Sequence, residues 1–139
     1  MKDRRAGSAL IEFAASLILV STLFTGIFQF SYTLSTYHAL VNAVRAGARY
    51  ASLQPQPPNG PNPEVIKAVR NMVVYGDPSP SANAKPITPG LAPDNVEMIL
   101  ESGTATVSVR GFELSAVFSK IMLDGRPTVT FPLNRDESK

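Results

Sequence analysis

Residues Phe13 to Phe30 read FAASLILVSTLFTGIFQF, apolar or small at every position except Gln29. No formally charged residue stands between Phe13 and Val44. A helix needs about 20 mostly apolar residues to cross roughly 30 Å of hydrocarbon, and counting from Ala9 reaches that length. Beyond Phe30 the pattern becomes amphipathic. Leu34, Tyr37, Val41, Val44, Ala48 and Ala51 keep an apolar stripe at helical spacing, and His38, Asn42, Arg45 and Arg49 keep the opposite polar face. No proline intervenes before Pro55. The pattern therefore predicts one helix from about Ala9 to Ser52, some 66 Å long at about 1.5 Å per residue. Half would lie in lipid and half would form a stalk. Gly26 and Gly47 loosen it locally, at about 1 kcal/mol each.

Ten of the twelve prolines fall between Pro55 and Pro93. Gln54–Pro61 reads as a semi-extended, polyproline-like linker, with a spacer role weighing more than a proline-motif site. Asn62 can cap a following helix, Pro63 fits its first turn and Glu64 complements its dipole. Val65, Val69, Met72 and Val73 form one face of that helix, and Gly76 ends it. Asp77–Asp94 predicts a long loop. The period then falls to two. Val96, Met98 and Leu100 alternate with Glu97 and Glu101, Ser102-Gly103 makes a turn, and Ala105, Val107 and Val109 alternate with Thr106, Ser108 and Arg110, which is a hairpin. Leu114, Val117, Phe118, Ile121 and Met122 return to helical spacing and predict a short helix over Glu113–Leu123, with an irregular apolar loop as the alternative. Asp124-Gly125 turns the chain. Val129, Phe131 and Leu133 predict a last strand, which Pro132 places at a sheet edge. Asn134–Lys139 reads as a polar tail.

Three short strands need a cover for one face, and the stalk's apolar stripe supplies it. The fold class expected is α+β: a long N-terminal transmembrane-plus-stalk helix packed on a small head, with a short antiparallel sheet and one or two short helices. The expected division is a leader over 1–7, the span and stalk over 8–52, the linker over 53–63 and the head over 64–139.

Of the 139 residues, 44% are hydrophobic and only 17% charged, below the quarter or so usual in soluble domains. The formal charge of +2 suggests nucleic acid only until its position is considered. Lys2, Arg4 and Arg5 against Asp3 account for all of it, and the rest of the chain is neutral, so no basic patch remains to hold phosphates. Those three cations set topology instead: they precede the span and belong on the cytoplasmic side. The chain has no cysteine, which excludes disulfides, thiolate metal sites and thiol nucleophiles. No Ser/His/Asp set, phosphate loop or metal cluster is legible, so the expectation is a non-enzyme with no cofactor, no metal and no small-molecule substrate. His38, the single histidine, reads as a stalk-surface residue. Arg45 and Arg49 read as the solvated side of the stalk, with lipid headgroups or an acidic partner as the other option.

One residue fits none of this. Glu12 places a carboxylate inside the front of the span, five positions past Gly7, where charge is costly. A cleaved secretory signal does not account for it, because the apolar run exceeds the usual 7–15 or so residues and the small-x-small site at Ala46-Gly47-Ala48 lies far downstream. A plain single-span anchor explains the basic flank but neither Gly7 nor Glu12.

Basic leader, glycine, small or apolar quartet, glutamate, aromatic and long apolar helix together resemble the prepilin class. Here the signature is Gly7 followed by Ser8-Ala9-Leu10-Ile11-Glu12-Phe13. With the Val44–Arg49 run, the C-terminal hairpin and the strand-plus-tail over Thr128–Glu137, the chain resembles more particularly the TadE-like family, pseudopilins (minor pilins) of the Tad system that assembles Flp pili. The likeness is strongest over the first 52 residues.

The resemblance implies that a prepilin peptidase cuts between Gly7 and Ser8, leaving Ser8 as the mature N-terminus. Ser8 stands where many pilins carry a methylated phenylalanine, so methylation stays open. Glu12, beside Phe13, would serve assembly rather than cleavage. A new α-ammonium on Ser8 would enter an apolar bundle, where an unpaired charge is costly, and a neighbour's Glu12 would neutralise it and fix the axial register. A purely local role, in which the helix dipole favours the carboxylate, is worth under about 1 kcal/mol. The implied partners are the peptidase, other pilins and pseudopilins, the Tad inner-membrane assembly platform and membrane lipid. The implied location is a bacterial inner membrane, single-pass, with a cytoplasmic N-terminus and a periplasmic head, or the pilus or its tip. A head of this size separates the chain from very short major Flp pilins and leaves a TadF-like role open. The alternative function is an uncleaved single-pass scaffold or sensor whose head binds a partner protein.

Overall fold

The computed structural model describes residues 3–55, 62–101, 103–115 and 120–133, with side chains from Gly7 onward. Helix α1 runs unbroken over Asp3–Leu53, 51 residues. At about 1.5 Å per residue it is roughly 76 Å long. It ends where Gln54 N–H donates to the Ala51 carbonyl (3.3 Å) and Ser52 Oγ to the Arg49 carbonyl (2.8 Å), just before Pro55. Helix α2, Pro63–Tyr75, has the termini expected of it. The Asn62 side chain accepts from Glu64 N–H, and Gly76 closes the helix at φ 75° with its N–H on the Met72 carbonyl.

Five strands follow: β1 (Val96–Glu101), β2 (Thr104–Val109), β3 (Phe112–Ser115), β4 (Lys120–Leu123) and β5 (Thr128–Pro132). The antiparallel sheet has the order β1-β2-β5, so Pro132 does lie on an edge strand. The β1–β2 register pairs Glu101 with Thr104 and Val96 with Val109, which leaves two residues for the turn at Gly103. On one face Val96, Ala105, Val107 and Val109 are buried, with Met98, Leu100, Val129 and Phe131 packed beside them. Helix α1 lies against β2 and β5, and α2 against β1. The opposite face carries the Thr106–Thr130 hydroxyl pair (2.9 Å) and the Glu97–Arg110 ion pair (2.7 Å).

The short helix expected over Glu113–Leu123 is not there. Strands β3 and β4 form an antiparallel hairpin that pairs Phe112 with Leu123 and Leu114 with Ile121. Phe112 and Leu114 alternate with Glu113 and Ser115, and Ile121 and Leu123 with Lys120 and Met122. Each arm is too short for period two to stand out against the helical spacing of the joined segment. Glu113 and Lys120 meet on the hairpin's other face at 2.6 Å. That hydrogen bond and the carboxylate's charge hold the exposed Lys120 ammonium above its ordinary value. Val117 and Phe118 lie outside the described residues, as do most of the proline linker and the tail from Asn134.

The loop after Gly76 is irregular but tied down. Asn71 Nδ2 donates to the Pro78 carbonyl, and Ile87 N–H to the Val74 carbonyl at 2.8 Å. Asn95, at the end of a single 3-10 turn, accepts from Ala92 N–H and donates to the carbonyls of Arg110 and Gly111. One side chain thus joins the loop to the β2–β3 connection.

The buried arc of α1 is Leu40, Ala43, Val44, Gly47, Ala48, Ala51 and Ser52. Val44, Ala48 and Ala51 belong to the expected stripe. Tyr37 and Val41 lie half-buried at its border, and Leu34 is 42% exposed. The stripe is rotated because α2 flanks α1 on one side while the sheet covers another. Gly47 marks the crossing: a Cβ built there would fall on Val73 Cγ2 and come within 3.5 Å of the Val69 carbonyl. The position demands a missing side chain and does not loosen the helix. Replacing Gly47 by Ala should destabilise the head by about 1–3 kcal/mol through overpacking. Thermal unfolding of the detergent-solubilised chain, followed by near-UV circular dichroism, measures this. Gly26→Ala, where a Cβ meets nothing within 4 Å, is the control expected not to destabilise it.

Candidate functional site

The N-terminal segment is built on a single element. Gly7, Ser8, Glu12 and Phe13 all lie on α1, with Gly7 one turn into it. Ser8 and Glu12 are four positions apart, on one face and separated by about 6 Å along the axis. All four residues are exposed. Arg4 and Arg5 continue the same helix, while Lys2 and the cationic side chains lie outside the described part.

Two features of this segment lack an intrachain reason. A Cβ on Gly7 would meet nothing within 4 Å, so packing does not require glycine there. Among the described residues, Glu12 has no hydrogen-bond or ion-pair partner.

The following turns present apolar surface all round. The candidate span within α1 has a mean hydropathy of 2.0 over its best 18 residues, none of them buried by the rest of the chain. Leu10, Ile11, Leu17, Leu19, Phe24, Phe28 and Phe30 all stand exposed. Soluble monomers rarely expose contiguous apolar patches beyond a few hundred Å². The polar exceptions satisfy themselves: Thr22 Oγ1 donates to the Ile18 carbonyl and Thr25 Oγ1 to the Ser21 carbonyl, both at 2.8 Å. A helix can thus carry hydroxyls into a medium without hydrogen-bond partners. One apolar N-terminal helix of this length fits a single-pass membrane protein.

Further along, His38, Arg45 and Arg49 face solvent, as the polar face predicts. Among the described residues no three His, Cys, Asp or Glu side chains gather where they could hold a metal ion. Sequence reasoning missed Leu40, Ala43 and Gly47 on the docking face of α1 and the β3–β4 hairpin beside its middle. Helical spacing could have found the first group, since Leu40 and Gly47 lie four and three positions from Val44, and Ala43 four from Gly47 and eight from Ala51.

The geometry defines a rod, apolar enough over its first half to cross a membrane, with a small α+β head docked on its distal half. A family model described as TadE-like protein matches residues 7–49, the family that the residues themselves suggest. The match opens on Gly7, runs through the span and closes within the stalk; the head lies outside it. No curated protein and no solved structure matches the chain. Over that segment, about a third of the chain, the protein is similar to the TadE-like family.

Because Glu12 has no partner among the described residues, Glu12→Ala should leave the fold's stability within about 0.5 kcal/mol of the parent. Thermal unfolding of the purified chain in detergent checks this. A larger loss would make Glu12 a structural residue.

Proposed function

We propose that this chain is a membrane-inserted, prepilin-like pseudopilin needed to assemble Tad/Flp-type pili, and that a prepilin peptidase cleaves it after Gly7. The observation that carries the reading is the pairing of Gly7 with Glu12 at the head of one unbroken helix, within the TadE-like segment. A glycine without a packing reason fits a peptidase that needs close backbone approach. A carboxylate without a partner fits a charge that another subunit completes.

In this reading Lys2, Arg4 and Arg5 hold the leader in the cytoplasm and the head stands in the periplasm. Cleavage creates an α-ammonium on Ser8. If a neighbouring helix is displaced by about 6 Å along the axis, its Glu12 comes level with that amine. In an apolar bundle each charge is costly alone and tolerable only as a pair, so the pair selects one register. The chain supplies no catalytic group; the chemistry belongs to the peptidase. The partners are other pilins and the inner-membrane assembly platform, and the chain acts in initiating or capping assembly. The competing reading, an uncleaved scaffold or sensor, explains the span and the head but leaves Gly7 and Glu12 without a task.

Intact-mass measurement of the membrane-extracted protein, made with and without the peptidase, separates the two readings. The peptidase should remove residues 1–7 and expose Ser8; a chain still starting at Met1 in its presence would sink the prepilin reading. In a piliated host, Glu12→Ala should be processed normally yet yield few or no pili by electron microscopy. Normal piliation would remove the assembly role of the carboxylate.

A further inference from the structure

Between α1 and the β3–β4 hairpin runs a groove of about 280 Å³. Phe30, Leu34 and Tyr37 form its helix wall, and Leu114, Ile121 and Leu123 its hairpin wall. The remaining lining residue, Thr33, turns its hydroxyl to the Gln29 carbonyl at 3.0 Å. The groove is open: Phe30 is 69%, Leu34 42% and Ile121 43% exposed. Left in water, such a surface is unfavourable by about 25 cal/mol per Å².

Its position along α1 says what covers it. Phe30 is both the last residue of the apolar run and the first residue of the groove. From Ala9 to Phe30 the helix rises about 32 Å, close to the roughly 30 Å of a hydrocarbon core. From Phe30 to Tyr37 it rises about 10 Å more, through the depth of the headgroup zone. Tyr32 and Tyr37 stand where amphipathic rings favour the interface. Ser115, cross-strand to Lys120, lines a second recess with Tyr32, so the exposed Lys120, ion-paired with Glu113, lies at the same end of the hairpin as Tyr32. Because α1 is continuous from span to stalk, the groove begins where the apolar run ends.

We propose that an acyl chain of the head-side leaflet fills this groove, so that the head rests on the bilayer through its β3–β4 hairpin. This rests on α1 spanning the membrane. The hairpin is then a second membrane contact, and it limits tilting of the head about the end of the span.

The chain has no cysteine, so single nitroxide labels can be placed without background. The full-length protein would be labelled at Leu34→Cys, Ile121→Cys, Phe24→Cys or Glu101→Cys. It would then be reconstituted into phosphatidylcholine/phosphatidylglycerol vesicles. Power-saturation electron paramagnetic resonance compares access of oxygen, which concentrates in lipid, with access of a water-soluble nickel chelate. Phe24 reports the span, and Glu101 the far end of the β1–β2 hairpin. Both groove labels should fall between the two controls, with an oxygen-to-nickel ratio below that at Phe24 and several-fold above that at Glu101. Nickel access at Leu34 and Ile121 like that at Glu101 would overturn the proposal. Protection from both reagents would overturn it as well, because a second protein chain would then occupy the groove. Nickel access at Phe24 itself would defeat the membrane-spanning reading; a lipid-like Phe24 beside water-like groove labels would defeat the lipid contact alone.

Discussion

One helix presents two kinds of surface, and everything else in the structure answers to that constraint. Over its first half α1 offers apolar side chains in every direction, which only lipid or other apolar helices can satisfy. Over its second half the apolar arc narrows to the width that a small sheet and one short helix can cover. The transition comes without a break or a change of element. A rigid rod therefore carries the head at a fixed height above whatever surrounds the span.

The head has no independent claim to stability of that kind. Its sheet has three short strands, and its buried residues (Val96, Val107 and Val109 among them) pack against Leu40, Val44 and Ala48 of the rod. Small domains bury too little surface to stand alone, and here the shortfall is met by the stalk. The loop after Gly76 adds little apolar burial beyond Leu91; its order comes from backbone ties and from the several bonds of Asn95. Apolar burial thus dominates near the rod, and hydrogen bonding dominates at the rim.

Much of this architecture was legible in the sequence because its signals are strong and local. The apolar run of α1, the Asn62 and Gly76 caps of α2, and the Ser102-Gly103 turn between alternating strands each depend on a few adjacent residues. The failures share a cause. Small residues such as Ala43 and Gly47 carry little hydropathic weight, yet they decide which face of a helix can be approached closely. The β3–β4 hairpin failed differently: two four-residue arms, read as one segment, imitate a helical repeat, and only their mutual pairing reveals the strands. The N-terminal site was legible as an anomaly, since a glycine and a carboxylate stood out against what the span required. In the proposed function its physical meaning lies between subunits, where a single chain carries no record.

The crossing at Gly47 fixes an angle as well as a distance. With Val73 seated against the missing side chain, the head cannot turn about the rod, so the azimuth of the rod is set from its far end. Gly47 and Glu12 lie about ten turns apart at 3.6 residues per turn, a separation that leaves Glu12 roughly a quarter turn from the face that holds the head. The α1–α2 joint therefore works as a compass bearing: it sets which way Glu12 points relative to the head. Neighbours that meet through Glu12 would find the heads set to one side of the contact line, out of each other's path.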